Sequence, residues 1–217
     1  MTLLTVVVTD DAVLLGADSA STVGEAFDFP DAQSAAIPSD KFIQTKMKTL
    51  MWGYAGQSFV AKKLYPWATN TEWSSWPDLA NALEEKYLTA VKRTRANLVN
   101  AGMSNVDHHP FLKFGVIFGG FIRGKPGYVV AYPPTGNVAT FEIEDSSLNQ
   151  PFAFGGGAPI AVAAWEVLKR FKGDCEITTP EQLGEFMDAV CLSSQGYAHP
   201  VNLWRVDADG SHPVVRQ

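Results

Sequence analysis

The sequence predicts an α+β fold of four layers, α/β/β/α, in which two antiparallel sheets stack and helices cover their outer faces. Three observations predict it. β-rich runs come in pairs separated by short polar turns, helical periodicities also come in pairs, and the order along the chain is strands, two helices, strands, two helices, strand. A doubly wound parallel sheet would instead alternate single strands with single helices.

Thr5 to Val8 and Ala12 to Ala17 are apolar, β-branched runs with Thr9-Asp10-Asp11 between them, a hairpin signal. Ser19 to Asp40 is rich in Ser, Ala, Pro and Asp without periodicity, and Lys41 to Thr45 followed by Thr49 to Tyr54 reads as a second strand pair. Ser58 to Leu64 turns helical. A longer helix starts at Trp76-Pro77-Asp78 and repeats Leu79, Leu83, Tyr87, Leu88 and Val91 at helical spacing to about Asn100. Phe111 to Phe121, Tyr128 to Tyr132 and Val138 to Ile143 are strands of a second sheet, punctuated by Gly124-Lys125-Pro126-Gly127 and by Pro133-Pro134-Thr135-Gly136-Asn137. After Gly155-Gly156-Gly157 a helix runs from about Pro159 to Phe171. Another starts near Thr179-Pro180-Glu181, and Val201 to Val206 is the last strand. Neither an internal repeat nor a linker interrupts the chain, so residues 1–217 read as a single domain.

Composition narrows the function. The chain has 217 residues, 46% of them hydrophobic and 18% charged, a balance that supports a buried core and excludes a disordered or fibrous chain. The net charge of −6, with no basic run longer than Lys62-Lys63 or the spread Lys92, Arg93 and Arg95, argues against nucleic acid or anionic lipid as the main partner. No stretch approaches the roughly 18 continuous apolar residues of a membrane helix. Met1-Thr2-Leu3-Leu4 lacks the positive start of a signal peptide, which points to a cytoplasmic protein. Cys175 and Cys191 form no metal-ligand spacing and read as packing residues; His108-His109, with only Asp107 nearby, is a weak metal signal. No cofactor and no metal is expected.

Thr2 carries the chemical signal. Removal of Met1 would leave a hydroxyl beside a free α-amine, a nucleophile and its base in one residue. An α-amine with an unperturbed pKa of about 7.7 to 8.0 is partly neutral near pH 7 and needs no histidine to accept the hydroxyl proton. A Thr at position 2 is uninformative alone. Its company is Gly16-Ala17-Asp18-Ser19 at the end of the second strand, Asp40-Lys41-Phe42-Ile43, and Gly53-Tyr54-Ala55-Gly56.

This set resembles the proteasome-type N-terminal-nucleophile hydrolases, the proteasome β subunits and their simpler bacterial homologues of the HslV type. Thr2 and Asp18 stand sixteen residues apart, as do the family's Thr and Asp, and Phe154-Gly155-Gly156-Gly157, Val201-Asn202-Leu203-Trp204 and Asp209-Gly210 echo its later motifs. The resemblance covers most of the chain. It implies that Thr2 attacks an amide carbonyl and that Gly56 N–H holds the oxyanion, as glycine allows close backbone approach. It also implies that Lys41, charged and near Thr2, lowers the pKa of hydroxyl and amine, and that Asp18 holds Lys41 in place. A threonine-type peptidase acting on peptides or unfolded protein follows, in a homo-oligomeric ring with an ATPase partner. A small-molecule amidase and a silent ring subunit are the alternatives.

The chain departs from the pattern at three points. Gly156 stands where the family has a Ser, the frequent Thr-Thr start is Thr2-Leu3, and Asp188, the candidate for the family's late acidic residue, lies farther from Val201-Asn202 than the pattern sets. Asp188 equally fits the solvated edge of a helix whose apolar face is Leu183, Phe186, Met187, Val190 and Cys191. Ser193 or Ser194 is a candidate for the accompanying hydroxyl, and His199 is a weak one for the site's edge. Ala26 to Ser39 reads either as a groove or subunit contact or as a surface excursion. The cluster Trp67, Trp73 and Trp76 reads either as an assembly surface or as core.

Overall fold

The computed structural model describes residues 2–18, 20–22, 36–38, 41–132, 141–143, 148–173, 175–193 and 201–215. The chain begins with β1 (Leu3–Val8) and β2 (Val13–Ala17), then a short ribbon of β3 (Ala20–Thr22) and β4 (Ala36–Pro38), then β5 (Phe42–Gln44) and β6 (Leu50–Gly56). Helices α1 (Ser58–Ala61), α2 (Tyr65–Asn70) and α3 (Trp76–Asn100) follow, then β7 (Phe114–Ile122), β8 (Lys125–Ala131), β9 (Phe141–Ile143) and β10 (Phe152–Gly155). The chain closes with α4 (Ala158–Lys172), α5 (Pro180–Leu192), β11 (Asn202–Val206) and β12 (Ser211–Val214). One antiparallel sheet has the order β10-β1-β2-β11-β12 and the other β5-β6-β7-β8-β9.

Side-chain alternation along the central strands divides the core into three. Leu4, Val6, Val13 and Leu15 of the first sheet meet Phe42, Met51, Ile117 and Val130 of the second in one cluster. The intervening Leu3, Val7 and Leu14 point the other way, against Trp165 of α4 and Leu183 and Met187 of α5. In the second sheet Leu50, Trp52, Phe114 and Phe118 pack with Leu79, Leu83 and Tyr87 of α3. Both faces of β1, β2 and β7 are therefore dry, which explains why their sequences are nearly unbroken apolar runs rather than alternating ones.

The helices begin where their caps dictate. Ser75 accepts from Asp78 N at 3.2 Å with Pro77 in the first turn of α3, and Thr179 and Gln182 form a reciprocal capping box at α5. The expected helix over Ser58 to Leu64 is α1 followed by a 3₁₀ turn over Lys62–Leu64, and beyond it comes a further helix, α2, with Pro66 in its first turn.

Some expectations are corrected. The turn read at Gly124-Lys125-Pro126-Gly127 is only Arg123-Gly124, whose φ of 50° and 75° make a two-residue hairpin. Among the described residues β9 pairs with Val129 to Ala131, and Pro126 lies beyond that pairing, near the start of β8 where a strand tolerates proline. Phe111 and Leu112 lie in a 3₁₀ turn ahead of β7, and β10 and β12 were not read from the sequence. The tryptophan cluster is half-buried packing against the α3 core: Trp67 meets Trp73 and Phe118 edge to face, and Trp76 Nε1 donates to Lys125 O at 3.1 Å. Residues 133–140, which include the expected Pro-Pro-Thr-Gly-Asn turn and the start of the third strand, lie outside the described residues, as do 26–35 and 39. Among the described residues no helix is long and apolar enough to cross a membrane, and no group of three or more His, Cys, Asp and Glu residues is placed to hold a metal ion.

Candidate functional site

Thr2 is half-buried at the head of β1, in the middle region of its sheet between β10 and β2. The next residue fixes its position. Leu3 N–H donates to Asp18 Oδ1 at 2.6 Å and Leu3 O accepts from Asp18 N at 3.1 Å, so the β1–β2 hairpin continues one step beyond its ladder. On the other side Leu3 pairs with Gly155, and Gly157 N donates to Thr2 O at 3.3 Å.

Gly155 is a point of close approach. Its φ is +95°, and a Cβ there would lie 2.4 Å from Thr2 O and 3.2 Å from Ala55 Cβ. The backbone of Thr2 is thereby brought beside the end of β6. That strand ends at Gly56, which is exposed and has a φ of +82°; a Cβ there would lie 2.1 Å from Lys113 O. Only glycine fits this bend without displacing the start of β7.

Lys41 immediately precedes β5, which hydrogen-bonds to β6, and its side chain runs inward rather than to solvent. Nζ lies 2.7 Å from Asp18 Oδ1, with Lys41 at 3% and Asp18 at 0% exposure. One oxygen of Asp18 therefore receives both the Lys41 ammonium and the N–H that follows Thr2, while Oδ2, equally buried, accepts from no described residue. Burial pulls the Lys41 ammonium below the usual lysine range, and the Asp18 carboxylate beside it pushes back.

Asp18 and Lys41 are thus brought into contact, and Thr2 and Ala55 converge on Gly155, with Gly56 next in the chain after Ala55. Asp188 stands half-buried on α5, one turn before Cys191. Its carboxylate helps raise the Cys191 thiol, which burial first and then Asp18 push up to about 12 while Lys41 opposes. In the sequence Cys191 reads as packing alone, because a helical apolar face carries no signal that its thiol will sit in the field of an ion pair. Gly155 had a local signal, the glycine run before a helix, but nothing marked it as the contact between Thr2 and β6. Gly156 is exposed in the turn. Ser193 Oγ donates to Val190 O at 2.8 Å, folded back on its own helix, whereas Ser194 and His199 lie outside the described residues. His109 accepts from Phe111 N at 3.2 Å and caps a 3₁₀ turn, a structural task.

No family model matches the sequence, and no curated protein sequence matches it. A solved structure, Anbu (ancestral beta-subunit) from Yersinia bercovieri, is similar over 99% of this chain and 88% of that one, with a TM-score of 0.63 and 15% sequence identity. At that identity the likeness is one of fold.

Proposed function

We propose that this chain is a proteasome-type N-terminal-nucleophile hydrolase, a single domain that cleaves peptide bonds through an acyl-enzyme on Thr2 once Met1 is removed. The observation that carries the reading is the shared oxygen: Asp18 Oδ1 accepts from Lys41 Nζ at 2.7 Å and from Leu3 N–H at 2.6 Å. A buried cation is tethered to the residue beside the nucleophile. The four-layer α/β/β/α architecture of this class is supported by the three cores, one between the sheets and one between each sheet and its helices.

In this reading Thr2 Oγ1 attacks the carbonyl carbon while the α-amine takes its proton. Gly56 N–H, at the glycine-only bend, donates to the oxyanion. The tetrahedral intermediate collapses, the ammonium returns its proton to the leaving amine, and water then hydrolyses the ester. Lys41 keeps the local potential positive, favouring the neutral amine and a more acidic hydroxyl. Asp18 positions Lys41, and Asp188 is the site's second acid, acting at longer range through the α5 face. Peptide or unfolded-protein substrates, a homo-oligomeric ring, an ATPase activator and a cytoplasmic location belong to the same proposal.

Intact mass before and after a β-lactone or epoxyketone probe tests it, with Thr2→Ala as control. A chain without Met1 that gains one adduct, lost in Thr2→Ala, supports the reading. A chain that keeps Met1 and ignores the probe overturns it in favour of a silent ring subunit, the reading that Gly156 in place of a hydroxyl would then explain.

A further inference from the structure

The carboxylate of Asp18 is used unevenly. Oδ1 accepts from Lys41 Nζ at 2.7 Å and from Leu3 N–H at 2.6 Å, while Oδ2, on a fully buried residue, accepts from no described residue. A buried carboxylate oxygen without a donor costs stability, so its presence in a folded chain calls for a physical reason.

The C-terminal half of α5 supplies one. Met187 rests on Gly16, where a Cβ would lie 2.1 Å from its Sδ, so α5 packs on β2 at that point. Cys191 comes one helical turn after Met187 and Asp18 two residues after Gly16, spacings at which side chains return to the same face of a helix and of a strand. Cys191 shares a buried cluster with Met187 and with Leu3, whose N–H holds Oδ1. Burial first, then the Asp18 carboxylate, raises its thiol, and Lys41 opposes, as neighbours of one small site would. Around the pair α5 brings Cys191 and Asp188, and β1 brings the Thr2 α-amine once Met1 is removed. Among the described residues β5 and β6 bring no other titratable group, since Tyr54 packs in the α3 core. The residue beside the idle oxygen is thus a thiol, a weak hydrogen-bond donor.

We propose that Cys191 is a positioning residue for the Lys41–Asp18 pair: it fills the space beside Asp18 Oδ2 with a side chain that donates poorly, which leaves the charge of the carboxylate to Lys41 and keeps the ammonium protonated to higher pH. A hydroxyl in its place would donate to Oδ2 and draw part of that charge to itself, weakening the hold on Lys41. Stability and charge at the site therefore pull in opposite directions. The donor that would make the fold more stable would also discharge Lys41 sooner.

Urea titrations of the full chain from neutral to alkaline pH test this on wild type, Cys191→Ser and Cys191→Val, each with and without Lys41→Met. Cys191→Ser is expected to raise the urea midpoint at neutral pH, because Oδ2 gains a donor. It should also lower, by about one unit, the pH at which the Lys41 contribution to stability begins to rise. Cys191→Val, close in volume and without a donor, should keep the wild-type window. A second readout, the alkaline limb of β-lactone addition at Thr2, rests on the hydrolase reading and should move down with the window in Cys191→Ser. A midpoint that falls in Cys191→Ser, as it must where a buried hydroxyl finds no partner, overturns the proposal. So does a window that stays in place in Cys191→Ser or that moves equally in Cys191→Val. A wild type that takes no probe overturns the hydrolase reading instead, and the urea titrations then decide this proposal by themselves.

Discussion

Lys41 Nζ rests 2.7 Å from Asp18 Oδ1 in a site where neither residue reaches solvent, with exposures of 3% and 0%. Each charge makes the other tolerable. The carboxylate oxygen that takes the ammonium also takes Leu3 N–H, so the ion pair and the first strand are one structural unit.

Removing one charge strands the other. Lys41→Met should lower the stability of the fold by about 3–5 kcal/mol, because a buried carboxylate loses its counter-ion. Asp18→Leu/Lys41→Met should recover most of that loss in urea titrations, since no charge is then buried. Labelling of Thr2 should vanish in both. A double variant as unstable as the single would show that the pair contributes more than mutual compensation.

Gly155→Ala places a methyl 2.4 Å from Thr2 O on a backbone with a φ of +95°. The expected cost is on the order of 1–3 kcal/mol, with loss of Thr2 labelling while the chain still folds. Gly156→Ala, in the exposed turn next door, should change stability by less than about 0.5 kcal/mol. Equal labelling in the two variants would detach Gly155 from the site.

Gly156→Ser supplies a hydroxyl at the position where the resemblance to the hydrolase family implies one. Under the hydrolase reading it should raise the rate of probe addition at Thr2 and leave the melting temperature within a few degrees. A rate unchanged by the serine would mean that this chain does not use that hydroxyl.

Burial depresses the Lys41 ammonium from its usual value of 10.5. Above its folded pKa the native Lys41 is neutral while the unfolded chain still binds the proton, and the neutral amine, unlike methionine, still donates to Asp18, so this group's contribution to stability rises with pH up to 10.5. Activity that needs the charge falls across the same window. Probe addition should therefore show an alkaline limb below 10.5, where the urea midpoint, corrected with Lys41→Met, moves the opposite way. A limb at or above the usual lysine value would count against a charged Lys41 in the mechanism.

Tyr87 Oη donates to Phe114 O at 2.6 Å from inside the α3 core, and burial holds its hydroxyl well above the usual tyrosine range. Tyr87→Phe should cost about 1–2 kcal/mol, because a buried carbonyl loses a donor. Chemical denaturation measures it, and no change in Thr2 labelling is expected.

The hairpins β1–β2 and β5–β6 and helices α3, α4 and α5 were legible in the sequence, because apolar period, caps and turn residues are properties of a few neighbouring positions. The sixteen-residue separation of Thr2 and Asp18 belongs to the same class: a strand, a turn and a strand return the chain to its start, and the β1–β2 register follows. Other features came only from tertiary structure. β10 is four residues long and has no period of its own, yet its pairing with β1, about 150 positions earlier, sets Gly155 against Thr2 and Ala55. That Cys191 lies in the field of the Lys41–Asp18 pair, and that one stripe of α4 stays open, depend on which surfaces the two sheets exclude from water. Burial and long-range register are set by segments distant in the chain, so no local pattern of residues encodes them.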